Sequence, residues 1–122
     1  MHKREMTEAM LGKIEQAIER ILGNSCSIDS YHYYLLSPGG MERLESTCML
    51  LMAIGEGLKG IDKLTDKQLF IKYPEIDWKG AMGMRDIIAH HYFDLDAAVV
   101  FDVVKNYLPS MLATIKKIRK EL

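Results

Sequence analysis

Apolar residues return every three or four positions along most of this chain, and that period leaves helices as the only economical way to bury them. Met6, Met10, Ile14, Ile18 and Ile21 form one such stripe, widened by Leu11, Ala17 and Leu22. Met41, Leu44, Cys48, Leu51, Gly55 and Leu58 form a second, broadened by Met49, Leu50, Met52 and Ile54. A third runs from Val99, Val100, Val103, Val104 and Tyr107 into Met111, Ile115 and Ile118. Strand-type alternation is nearly absent. The tyrosine-rich SCSIDSYHYYLL (residues 25–36) reads as a short helix or an irregular connector, because an isolated strand would have no partner.

Local signals place the boundaries. Gly23-Asn24 should stop the first helix, and Ser37-Pro38 supplies an N-cap followed by proline at the first helical position. Thr65-x-x-Gln68 reads as a capping box opening a short helix that Pro74 stops. Asp77 and Asp96 can cap the next two helices, and Pro109 should kink or split the last. The expected fold is all-α: an up-and-down bundle of four main helices plus one or two short ones, one domain over residues 1–122.

Composition narrows the function classes. The formal net charge of −1 argues against nucleic-acid binding by bulk positive charge, though a local basic patch is allowed. Cys26 and Cys48 form no CxxC pair, and neither HExxH nor paired Glu-x-x-His occurs, so no metal or other cofactor is expected. The longest apolar run, Cys48 to Ile54, is far short of the roughly 20 residues of a membrane span, and the N-terminus lacks an apolar signal region. A cytoplasmic location, away from membranes, follows as the expectation. Gly80-x-x-Gly83 lacks a following Lys-Ser/Thr, so it is read as a place where helices approach closely rather than as a phosphate loop.

The segment RDIIAHHY (Arg85–Tyr92) carries the densest chemistry. Histidine suits proton transfer near neutrality, and arginine's planar fork suits a phosphate. Together Arg85 and His90 could cleave RNA without metal, one group helping the ribose 2′-OH attack the adjacent phosphate while the other steadies it. On an ideal helix Arg85 and Tyr92 fall within about 20° of each other, whereas His90 lies about 140° from Arg85. One straight helix cannot bring the pair together. Either the helix distorts near Ala89-His90, or a second copy of the chain completes the site across a two-fold axis, which predicts a homodimer. The competing reading is a polar helix end whose histidines sit favourably near its negative C-terminus. His90 and His91 are adjacent and diverge by about 100°, a poor metal pair. Glu56, in AIGEGLKG, is read as a flank residue with its head in water, with a turn toward the histidine segment as the sharper alternative. The basic run KKIRK (Lys116–Lys120) is read as a solvated helix end before it is read as an RNA contact.

The spacing Arg85-(four residues)-His90-x-Tyr92 resembles the Arg-x(4–6)-His-x-Tyr motif of the HEPN superfamily, specifically its HepT-like toxin branch. MERLESTCMLLMAIGEGLKG, YPEIDWKGAMGMRDIIAHHYFDLD and VVKNYLPSMLATIKKI are similar to corresponding segments of that branch. The resemblance implies a dimerising α-helical bundle with both chains' motifs lining one cleft. It also implies a metal-independent endoribonuclease toxin, paired with an MNT-type nucleotidyltransferase antitoxin. Arg85 and His90 would be catalytic, and Tyr92 would be the tyrosine to which the partner transfers AMP groups from ATP. Asp86 stands where the family often has asparagine, so it and His91 are supporting candidates only. The alternative within the superfamily is a non-catalytic nucleotide- or substrate-binding partner of a nucleotidyltransferase.

Overall fold

The computed structural model describes residues 2–91 and 93–122. Five helices follow one another: α1 (His2–Ser25), the single turn α2 (His32–Leu35), α3 (Pro38–Leu64), α4 (Trp78–His90) and α5 (Ala97–Glu121), with a 3₁₀ turn at Phe70–Lys72. No strand occurs among the described residues, so the bundle expected from the periodicity is what the chain forms. α1 packs on α3 and on the C-terminal half of α5, while α4 packs chiefly on α3. Leu11, Ile18 and Ile21 of α1, Leu44, Leu58 and Ile61 of α3, and Val104, Ile115 and Ile118 of α5 are all essentially buried. The stripes are narrower than their sequence outlines: Met6, Met41 and Met49 lie at the surface.

The caps form as their residue types require. Ser37 accepts a hydrogen bond from Gly40 N at 3.0 Å, Asp77 from Gly80 N at 3.0 Å, and Asp96 from Ala98 N and Val99 N at 3.1 and 3.2 Å. Thr65 behaves differently from the capping-box expectation. Its hydroxyl donates back to Ile61 O at 2.9 Å and so finishes α3, and Asp66 and Lys67 then adopt φ of 53° and 62°. Only the 3₁₀ turn follows. Pro109 does not split the last helix. α5 widens into a π turn at Val103–Tyr107, where the Leu108 N–H reaches Val103 O, and this absorbs the proline.

By length and composition α5 is long and apolar enough to cross a membrane, which counting contiguous apolar residues did not reveal. In the fold Val104, Leu108, Met111, Ile115 and Ile118 of this helix are buried in the core, and Arg119 near its end binds Glu8 at 2.6 Å and Glu15 at 3.0 Å. That guanidinium lies 3.5 Å from where a Cβ on Gly12 would be. The clamp closes the two ends of the chain against each other.

Candidate functional site

α4 is fixed at its start and presented at its end. Trp78 is buried, stacks on Phe70 with ring centroids 4.3 Å apart, and donates from Nε1 to Tyr73 O at 2.7 Å. Along its length α4 crosses α3 closely at Gly55, where a Cβ would meet Ala81 O at 3.1 Å and Arg85 Cβ at 3.4 Å. The close approach read into Gly80 and Gly83 therefore belongs to Gly55 instead. Gly83 faces open space, and Gly80 leaves room for its own capping Asp77 carboxylate.

This crossing assembles a chain of four charges. Arg85 Nε lies 3.4 Å from Glu56 Oε1, and its Nη1 donates to Asp86 Oδ1 at 3.2 Å. Lys59 Nζ donates to the other Asp86 oxygen, Oδ2, at 3.4 Å. The Arg85 and Lys59 hydrogen bonds hold the Asp86 carboxyl below the ordinary carboxylate value. A depressed value means that the contact is intact above the ordinary carboxylate range and is lost only as the pH falls through the lowered one, so at neutral pH the bridge is fully charged. All four side chains are between 40% and 58% exposed, which leaves water, or a ligand oxygen, free to compete for them. Glu56 keeps its head in water, as the plain reading had it, yet it also faces the motif arginine, as the sharper one had it.

His90 is exposed and its ring is oriented. Its Nδ1 lies 2.6 Å from Asp86 O, and a carbonyl oxygen can only accept, so Nδ1 carries the hydrogen. In the neutral form of the ring the lone pair is then on Nε2. α4 is α-helical from Trp78 to His90 with no break at Ala89, and His91 N closes it with a bond to Ile88 O at 3.2 Å. The distortion considered from the sequence is absent, and Arg85 turns toward α3 while His90 points to solvent. Within one chain the two do not converge. Tyr92, the expected modification site, lies outside the described residues.

Beyond the motif, α4 and α5 diverge around an open trough. Met84, Ile87 and Ile88 line one wall and Val99, Val100 and Val103 the other, with His91, Asp94 and Asp96 at its end, enclosing about 370 Å³. It continues past Met84 and Val103 into a second hollow of about 440 Å³. Ile87 and Val99 remain more than half exposed there. In the KKIRK run three of the four cations are paired with acids, and Lys120 is exposed. Lys116 pairs with Glu19 at 3.5 Å, Lys117 with Glu75 at 3.7 Å, and Arg119 with the α1 acids, while Ile118 is buried. Lys59 escaped the sequence reading, because only the helix crossing shows that it faces Asp86.

The chain is similar in sequence to known proteins. The "Ribonuclease HepT-like" family profile matches residues 39–118, which hold α3, α4 and most of α5. A Methanocaldococcus jannaschii protein named as a candidate RNase is 33% identical over 72 residues, covering 59% of this chain and 56% of that protein. A Thermococcus cleftensis protein named "Probable ribonuclease HepT" is 39% identical over 70 residues, 57% of this chain and 60% of its own length. These alignments thus span a little over half of the relatives' length. A Caldanaerobacter subterraneus protein, also named as a candidate RNase, is 27% identical over 115 residues, 94% of this chain and 92% of that protein. No solved structure matches the chain. With residues 39–118 of 122 inside the matched stretch, well over half of its length, the chain belongs to the HepT-like ribonuclease family.

Proposed function

We propose that the chain is a metal-independent endoribonuclease that cuts RNA at a site shared between two copies. The observation that carries this reading is the oriented His90: its Nδ1–H is engaged by Asp86 O, so in the neutral ring the lone pair is on Nε2, where it can act as a base. Nε2 takes the proton of a ribose 2′-OH, and that oxygen attacks the adjacent phosphorus. The bond from phosphorus to the 5′-oxygen breaks, and the leaving oxygen collects a proton. The products are a 2′,3′-cyclic phosphate and a 5′-OH. Arg85 of the other copy holds the phosphoryl oxygens as charge grows on them.

Two features favour the shared site. A straight α4 separates Arg85 from His90, and the apolar trough beside them, with Ile87 and Val99 uncovered, is a surface that a symmetric partner would bury. The decisive measurement is RNA cleavage in EDTA by wild type and His90→Ala. Wild type should cut, and the variant should be slower by about 10²–10⁴, the usual worth of a general base. Equal cutting by both, or none by either, overturns the reading and leaves the non-catalytic binding role.

The toxin role is part of the same proposal. A neighbouring nucleotidyltransferase would transfer AMP from ATP to the Tyr92 hydroxyl, releasing pyrophosphate. The added phosphates would bring negative charge and bulk to the mouth of an RNA cleft. Tyr92→Phe should cut RNA normally yet resist that partner in a growth assay. Full neutralisation of Tyr92→Phe would rule this mechanism out.

A further inference from the structure

Arg85 is the cation that the motif supplies for phosphate, but it does not stand alone. Lys59 reaches the same place from α3, and one carboxylate spans both: Asp86 Oδ1 is 3.2 Å from Arg85 Nη1 and Oδ2 is 3.4 Å from Lys59 Nζ. A carboxylate bridging two cations occupies the position, and offers much of the bite, of two phosphate oxygens. The arrangement is exposed, so the exchange needs no repacking: Lys59 and Arg85 are 40% and 44% accessible, and Asp86 is 49%. Among the described residues, Nη2 of Arg85 has no acceptor, which leaves a donor ready for an incoming oxygen.

We propose that Lys59 and Arg85 form a two-cation phosphate site for the RNA strand, and that the Asp86 carboxylate is the internal anion a phosphate displaces from it. The inference rests on the ribonuclease reading for its ligand, and it deepens that reading by adding a binding residue outside the motif. Glu56, on Arg85 Nε, keeps the guanidinium turned toward this position while Asp86 swings aside. The closing of α3 on α4 at Gly55 is what brings the lysine within reach. Such an arrangement makes phosphate binding a competition, so an RNA backbone with several phosphates succeeds where a single small anion does not.

The test is binding of a fluorescein-labelled single-stranded RNA to the full chain in a His90→Ala background, followed by anisotropy across a KCl series. Circular dichroism checks that each surface variant is folded. Adding Asp86→Asn should tighten binding about three- to tenfold, because the competing charge is gone. Adding Lys59→Ala should weaken it and reduce the slope of log K against log salt by about 0.7, the worth of one phosphate contact on a single strand. Lys59→Arg should restore both. An unchanged slope in Lys59→Ala, no gain in Asp86→Asn, or no RNA binding in any background would overturn the proposal. Its failure is separable from that of the catalytic reading. If wild type cuts RNA but Lys59→Ala leaves the slope unmoved, the phosphate pair is wrong and the nuclease stands. If the slope shifts but wild type cuts nothing, the pair stands on a protein that binds RNA without cleaving it.

Discussion

Mixing two inactive variants should restore activity. Arg85→Ala and His90→Ala each remove one half of the proposed chemistry, and each alone should lose about 10²–10⁴ of the cleavage rate. In a two-fold dimer whose sites pair Arg85 of one copy with His90 of the other, the mixed dimer contains one site with both substitutions and one with neither. Random reassortment makes half of the dimers mixed, each with one intact site, so co-refolded protein should recover about one quarter of wild-type activity. A site built within one chain gives a different result, because every site in the mixture then lacks one of the two residues. No recovery, with mixed dimers verified by differential tagging, would place the site within a single copy. The helix geometry makes recovery the expected outcome: α4 is unbroken across the interval, so Arg85 and His90 are on different sides of one rod.

That divergence was readable before any coordinates, since about 100° per residue is a property of every α-helix. The caps were readable for a similar reason. Ser37, Asp77 and Asp96 each bond a backbone N–H two or three residues on, a contact whose partners are fixed by local sequence. Thr65 shows where local logic stops. The same hydroxyl that could open a helix can instead finish the one before it, and the left-handed Asp66 and Lys67 that follow decide the matter. Nothing in Thr65-x-x-Gln68 separates the two outcomes. The site was half legible by the same rule. Arg85 and His90 are named by their spacing, but Lys59 meets Asp86 from 27 positions away, and its role depends on a helix crossing set by Gly55. The close approach was misplaced: the sequence pointed to Gly80 and Gly83, whose spacing looks like an approach motif, while the contact fell at Gly55, which has no partner at that spacing.

Gly40 carries the largest stability prediction for the same reason. A Cβ at this position would lie 2.0 Å from Tyr33 O and 3.2 Å from Tyr34 Cα, and both neighbours are backbone. They cannot rotate away, because Tyr34 is fully buried and anchors the single turn α2 against α3. Gly40→Ala must therefore push α2 off α3. The expected cost is about 3 kcal/mol, at the upper end for overpacking, or a fall in Tm of about 10 °C for a chain of this size. Gly39→Ala is the control. Its Cβ would meet only Ser37 Oγ, at 3.9 Å, so the usual helical advantage of alanine should leave it neutral or more stable by up to about 1 kcal/mol. Of two adjacent glycines in one helical turn, only Gly40 should thus lower the melting temperature when replaced by alanine. Equal responses would mean that α2 is not held where the packing puts it. Because α2 sits at the start of α3 and the Glu56–Lys59 turn lies more than four helical turns further on, folded Gly40→Ala should retain its RNA-binding salt slope. Loss of stability together with loss of slope would tie α2 to the site.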